Sequence, residues 1–280
     1  MKTHLPKGGR TVRFGSMALL MAVLFGGVSM FHVQTTSANH PVLVEGNCDS
    51  PVPGTTIVSP GTCGDYDGDG RIGTAEDTDG ADRIFGTLTA ALGPGTGAAA
   101  GTGANQNGRI TIVTSGRFAE VLLIGLPVSG LPGGSMTPGN VTIEAAHGVE
   151  ANIDAVLQGD PAGGNTLRQT QTAITVNLPD ATRVVTLRNL VIRNWSEGIR
   201  NAANGRLLID NCRLENNFNF GVRTTEASVT VITNTHINGT GFRIPVTGTP
   251  TPGNGVQAEG GSQIRISDST ISHSFGTGIA

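Results

Sequence analysis

The C-terminal half of the chain repeats itself, and a repeat of fixed period restricts a chain to architectures that stack like units. Leu187-Arg188-Asn189-Leu190-Val191-Ile192 aligns with Ile209-Asp210-Asn211-Cys212-Arg213-Leu214. The same template takes in Ile232-Thr233-Asn234-Thr235-His236-Ile237 and Ile266-Ser267-Asp268-Ser269-Thr270-Ile271. Each row reads apolar, polar, Asn or Asp, small or apolar, variable, apolar. A second column follows in Gly198-Ile199, Gly221-Val222, Gly255-Val256 and Gly278-Ile279. The glycines are spaced by 23, 34 and 23 residues, so the third repeat carries an 11-residue insertion. Three short strands and their turns fill a 23-residue unit, whereas two helices would need longer apolar stripes at 3.6 spacing. A β-sandwich is the alternative, but it would have to match two columns in all four rows by coincidence.

These rows resemble right-handed parallel β-helix proteins, the pectate-lyase-like superfamily, in pattern over roughly residues 105–280 and in no catalytic motif. The resemblance implies an all-β, right-handed parallel β-helix solenoid with three strands per rung around a triangular core. It also implies an Asn stack at one turn, here Asn189, Asn211, Asn234 and Asp268. Amides stacked about one strand spacing (~4.8 Å) apart bond to one another and to the turn backbone. Arg109–Val113 and Glu120–Ile124, joined by the turn 114–119, resemble a first rung. Asn140–Glu144 and Ala151–Ala155 resemble a second, followed by a polar excursion at 158–172 and a return at Ala173–Val176. The pattern runs into Ala280 in mid-repeat with no capping element, so the expectation is a fragment of a longer reading frame.

Residues 1–38 read as a secretory signal. Lys2, Lys7, Arg10 and Arg13 form the basic region, Ser16 to Phe31 the apolar stretch, and Thr36-Ser37-Ala38 the cleavage site. The apolar run is short for a membrane span, leaving a retained anchor as the lesser alternative. With no cysteine at the cleavage point, lipid attachment there is excluded. The expected location is outside a bacterium-like cell or on its surface, with no membrane association after cleavage. The mature chain has 14 basic and 21 acidic residues, a net charge of −7, and contains no Lys. That balance argues against nucleic acid as a partner and removes Lys-base or Schiff-base chemistry. In an exported chain Cys48 and Cys63 are expected to form a disulfide stapling the irregular leader 39–64. Cys212 falls in the column of Leu190, Thr235 and Ser269 and reads as a buried core thiol, not a nucleophile.

Asp65-Tyr-Asp67-Gly-Asp69-Gly70-Arg71-Ile72 and Glu76 match every diagnostic position of an EF-hand calcium loop. Oxygen ligands at alternate residues converge on one hard cation, Gly70 permits the sharp turn, and Glu76 binds through both oxygens. Arg71 contributes only its backbone carbonyl. With prolines upstream instead of a helix, the motif resembles the isolated loop-helix Ca2+ sites of exported bacterial proteins, and its expected role is structural. Asp77, Asp79 and Asp82 suit a second ion or a helix N-terminus equally. A helix is expected from Asp79, with Ile84, Phe85, Leu88 and Leu92 on one face, so that 65–92 forms a calcium loop and a helix covering the open solenoid end.

Family enzymes acting on acidic sugars use an Arg or Lys base with calcium, or paired acids for hydrolysis. Here Arg200 and Arg223 stand at equivalent positions one rung apart and are expected to form a basic ladder holding carboxylates. Trp195 suits stacking on a sugar or packing between rungs, and Phe218 and Phe220 share that ambiguity. Asp210 and Asp268 occupy different columns, as do His236 and His273, which weakens a paired-carboxylate hydrolase. The loop Ile244–Gly253 is expected to build a groove wall. Two readings follow. One is an exported calcium-binding solenoid that holds acidic extracellular polysaccharide weakly and salt-sensitively, or serves as a surface or matrix protein. The other is a polysaccharide lyase or glycoside hydrolase whose site lies partly beyond this segment.

Overall fold

The computed structural model describes residues 42–45, 56–57, 71–72, 83–93, 108–128, 139–155, 171–241 and 252–280, all within the second of two units, 39–280. Three parallel sheets wind around one core. In sheet A the strands run in the order Arg83–Phe85, Val42–Val44, Gly108–Ile112, Val141–Ala145, Val184–Arg188, Arg206–Asp210, Val229–Thr233 and Gln263–Ser267. Sheet B holds Gly116–Phe118, Ala151–Asp154, Leu190–Arg193, Arg213–Glu215, His236–Asn238 and Thr270–Ser272. Sheet C holds Leu122–Gly125, Thr172–Asn177, Glu197–Asn201, Phe220–Thr224 and Asn254–Ala258. The chain passes from A to B to C once per rung, so each strand pairs with its counterpart one rung away.

Register makes the core from three aliphatic columns. Sheet A stacks Ile110, Ile143, Leu187, Ile209, Ile232 and Ile266. Sheet B stacks Phe118, Ile153, Ile192, Leu214, Ile237 and Ile271. Sheet C stacks Leu122, Ile174, Ile199, Val222 and Val256, with Ile279 bridging to Val256. Most of these side chains are fully buried, and each contributes about 1.5–3 kcal/mol of transfer free energy. Both columns read from the sequence are thus real rung-to-rung neighbours.

Each regular rung turns three corners, and each corner contains a left-handed residue. Between A and B these are Asn189, Asn211, Asn234 and Asp268, with φ of 59°, 50°, 49° and 49°. Between B and C they are Asn194, Asn216, Gly239 and His273. Between C and A they are Ala203, Glu226 and the Gly260-Gly261 pair. Asn tolerates this region because its short side chain bonds locally, which explains why it dominates the tightest corner. Asn211 Nδ2 donates to Asn189 Oδ1 at 2.9 Å, as a stacked ladder requires. The next step departs from a simple ladder: Asn234 Nδ2 donates instead to Asp210 Oδ1 at 3.0 Å.

The glycine column has a different cause. A Cβ on Gly198 would lie 2.6 Å from the Gly221 carbonyl oxygen, and one on Gly221 would lie 2.5 Å from that of Gly255. The next rung's backbone therefore occupies the space that a side chain needs.

Three expectations near the N-terminus need correction. Arg83–Phe85 is not helical but the edge strand of sheet A, and the helix, here α1, spans only Leu88–Leu92. Ile84 and Phe85 are β-favouring residues beside an open sheet edge, and pairing with it outweighs their place on a helical face. Val42–Val44 belongs to no irregular leader: it pairs with both Arg83–Phe85 and Gly108–Ile112. Gly116–Phe118, expected as a turn, is the first strand of sheet B, with Phe118 buried. Helix α1 still covers the core end, burying Leu88, Ala91 and Leu92, and Glu120 accepts the Leu88 and Thr89 N–H groups at 3.0 and 2.7 Å. Cys48, Cys63, the excursion up to residue 170 and most of the 244–253 loop lie outside the described residues.

Gly221→Ala should cost about 1–3 kcal/mol, because Ile237 Cγ2 and the Gly255 carbonyl flank the site at 2.7 and 2.5 Å. Thermal unfolding followed by circular dichroism should show a melting temperature several degrees lower; an unchanged midpoint would contradict the packing described.

Candidate functional site

Sheet C carries the residues singled out as a basic ladder. Thr175, Arg200, Arg223 and Gln257 stand in register across four strands, pointing away from the aliphatic column. The stacking is as expected, but the ladder is not free to hold a foreign carboxylate. Glu197, whose side chain is only 9% exposed, lies between the two arginines. Arg200 places Nε 3.0 Å from Glu197 Oε2 and donates from Nη2 to Oε1 at 3.2 Å. Arg223 donates from Nη1 to Glu197 Oε1 at 3.1 Å and from Nη2 to Glu259 Oε2 at 2.8 Å. Thr172 Oγ1 completes the set at 3.1 Å from Glu197 Oε2.

Burying a carboxylate this deeply is costly unless it is paired and hydrogen-bonded, and both conditions are met. The Glu259 carboxylate, with Glu197 beside it, holds the Arg223 guanidinium above its usual pKa. Arg223 is therefore a poorer base than an isolated arginine, and its role is charge and hydrogen bonding. Its guanidinium also lies 5.0 Å from the centre of the Phe220 ring. Glu197 and Glu259 were missed in the sequence because no like residue marks their positions: Glu197 stands in register with Thr172, Phe220 and Asn254, and Glu259 lies just beyond its strand.

Trp195 does not reach solvent. It is 0% exposed at the corner between sheets B and C, and its Nε1 donates to the Ile153 carbonyl at 3.0 Å. A sugar cannot stack on it, so of its two readings packing between rungs holds. Cys212 is buried as expected: burial pushes its thiol up to about 12, and Sγ lies 3.4 Å from the Asp210 carbonyl oxygen. Its column forms a hydroxyl ladder. Cys212 N–H donates to Thr235 Oγ1 at 3.3 Å, and Thr235 N–H donates to Ser269 Oγ at 3.0 Å.

Of the calcium-loop residues, only Arg71 is described. Arg71–Ile72 forms a two-residue strand antiparallel to Thr56–Ile57. Asp65, Asp67, Asp69 and Glu76 lie outside the described residues. Among the described residues no group of three or more His, Cys, Asp or Glu side chains could hold a metal ion. Likewise, none of the described helices is long and apolar enough to cross a membrane.

A second feature was not anticipated. The A-to-B corner of one early rung takes five residues, 146–150, where later rungs need one or two. A groove of about 560 Å³ lies between that longer corner and the Asn corners that follow. His147 and Glu150 line one side; Asn211, Arg213, Asn234 and His236 line the rest. Glu150 is fixed at both ends, its N–H on Ser115 Oγ at 2.9 Å and its carbonyl on Gly116 N–H at 3.1 Å. Repeat alignment reveals the Asn row but cannot reveal a wall supplied by a corner that departs from the repeat.

Asp210 anchors the groove floor from behind, accepting from Asn234 Nδ2 and, at 2.8 Å, from Thr233 Oγ1. Those bonds, Asn234 first, and the nearby Arg188 guanidinium hold its carboxyl below the usual carboxylate range. A depressed folded pKa stabilises the protein above the unfolded value of about 3.9, and that contribution disappears as pH falls through the folded value. Thermal melts between about pH 4 and pH 2 should therefore show a smaller acid-induced loss for Asp210→Asn than for the wild type. Equal losses would show that this carboxylate is not linked to folding.

The family model for the right handed beta helix region matches residues 165–280. No curated protein and no solved structure gives a significant match to the chain. Taken with the three parallel sheets and their rung-to-rung register, that match makes the chain a right-handed parallel β-helix solenoid.

Proposed function

We propose that this chain is an exported polysaccharide-binding solenoid of pectate-lyase-like architecture, tied at its N-terminal end by calcium in the 65–76 loop. The observation that carries the reading is the in-register row Thr175, Arg200, Arg223 and Gln257 with its interleaved Glu197, Phe220, Asn254 and Glu259. Guanidinium, carboxylate, amide and aromatic groups recur one strand spacing (~4.8 Å) apart along a rigid face, a period suited to a chain of sugar units. Because the row's charges are compensated internally, it favours hydroxyl-rich polymer over strongly anionic polymer. That refines the expectation of an acidic ligand at Arg200 and Arg223. Turnover would require a base of suitable pKa beside a stabiliser of developing charge, and a raised arginine pKa works against that role for Arg223.

Affinity electrophoresis of the full chain in neutral and acidic polysaccharides should show retardation by at least one of them, weakened roughly five- to tenfold by Arg223→Ala. Unsaturated-product absorbance on pectate or alginate with added calcium should stay at background. Activity abolished by Arg200→Ala or Arg223→Ala would instead support the lyase reading.

For calcium, Tyr66 should sensitise bound terbium, and Asp65→Ala combined with Glu76→Gln should abolish the signal. Saturating calcium should also raise the melting temperature of the wild type and not of that variant.

A further inference from the structure

Sheet A differs from the other two on its outer face. Its strands alternate between buried and partly exposed residues, so Val184, Thr186, Leu208, Val229 and Val231 point away from the core. Register sets Thr186, Leu208 and Val231 in one row across three rungs, with Val184, Arg206 and Val229 in the row beside it. None of the four aliphatic side chains belongs to the core cluster. Outward rows on the other sheets are mainly polar: Thr175, Arg200, Arg223 and Gln257 on sheet C, and a nearly buried Val191 followed by Arg213, His236 and Thr270 on sheet B.

One charge on this face lacks a counterpart. Arg206 is exposed, and its guanidinium has no hydrogen-bond or ion-pair partner among the described residues. Asp210 stands four residues further along the same strand, about 13 Å away, on the other side of Leu208. Its Oδ1 takes Thr233 and Asn234, while its Oδ2 lies 3.2 Å from Arg188 Nε on a side chain still 29% exposed.

An apolar row with Arg206 on one flank and Asp210 on the other is complementary to itself after a half-turn. A two-fold axis along the solenoid direction, lying over the Thr186, Leu208 and Val231 row, sets that row against its own copy, rung for rung. The same operation sets Arg206 opposite Asp210 of the second copy, twice per pair. A two-fold along the strands would set each row against itself, and the row of Val184, Arg206, Val229 and Gln263 holds no carboxylate. We propose that the outer face of sheet A packs on the same face of a second copy, in a symmetric dimer whose two solenoids run in the same direction. Sheets packed face to face lie about 10 Å apart, which brings Leu208 and Val231 against their copies. Asp210 then sits between Arg188 of its own chain and Arg206 of the other, as Glu197 sits between Arg200 and Arg223. Arg265, two rungs beyond Leu208 in the central row, meets its copy only at the margin, where it is exposed and turns into solvent. The apolar strip spans three rungs, roughly 14 Å, which is small for an interface, so dissociation on the order of 10 µM is expected. This pairing is independent of the polysaccharide reading.

Sedimentation velocity of the mature chain from about 1 to 200 µM tests the pairing, and the average mass should rise from one copy toward two across that range. Leu208→Glu should hold it at one copy throughout, and Arg206→Glu should weaken association about tenfold. Both side chains point outward, and an unchanged circular dichroism spectrum checks that the solenoid is intact. Leu208→Cys should give a covalent dimer with a short bis-maleimide, whereas Val184→Cys, in the flanking row, should not. One copy at every concentration of wild type would overturn the proposal. A dimer that survives Leu208→Glu but is lost in the Phe275→Ser, Ile279→Ser double variant would also overturn it, moving the contact to the last described rung, where those two side chains are exposed. Cross-linking through Val184→Cys and not through Leu208→Cys would exclude the two-fold along the solenoid.

Discussion

Everything in this protein depends on in-register parallel pairing of each rung with the next. Because a strand must meet its counterpart one turn later, the chain between them has a fixed length, and every extra residue has to leave the coil as a corner or loop. The three corners meet this constraint by placing one residue in the left-handed region, at a cost of about 1–2 kcal/mol for residues other than glycine. Asn lowers that cost by bonding locally, and the Gly198 column lowers a different one by making room for the backbone of the following rung. A strand register error would break the aliphatic columns, the corners and the glycine contacts together.

The same stacking brings like residues into contact, which favours an aliphatic core and disfavours repeated charge. Arg200 and Arg223 are one strand spacing apart and would repel each other if left alone. Glu197 resolves this by sitting between them with Thr172 and Glu259 completing the network. Sheet B solves the same problem at Asp154, which is almost fully buried and contacts Arg193 at 2.9 Å and Arg117 at 3.5 Å. On sheet A, Glu144 pairs with Arg109 and Asp210 with Arg188. Each sheet thus carries at least one charge pair that crosses between rungs. The interior polar groups, such as the Cys212, Thr235 and Ser269 column, bond to backbone one rung away. Grooves then arise where a corner departs from the common length, as beside 146–150.

Much of this was legible from the repeat itself. Leu187, Ile209, Ile232 and Ile266 announced one core column, Ile199, Val222 and Val256 another, and the Asn row announced a tight corner. Asp210 and Asp268, or His236 and His273, were separable into different columns by counting alone. What counting missed lay outside the repeat or in the third dimension. Arg83–Phe85 and Val42–Val44 have too little local pattern to be assigned, and they are strands because sheet A offers them an unpaired edge. The ambiguity of Trp195 was resolved only by its surroundings, a closed corner with the Ile153 carbonyl in reach of its indole.

The sequence by itself determined the solenoid class, the rung length, the inward columns and the position of the Asn corner, because a parallel β-helix turns sequence periodicity directly into spatial neighbours. Only the tertiary structure decided which outward side chains meet. Glu197 reaches two arginines on different rungs, and the corner at 146–150 faces Asn211 and Asn234, since those contacts depend on side-chain reach across strands and on corner shape, neither of which has a period to read.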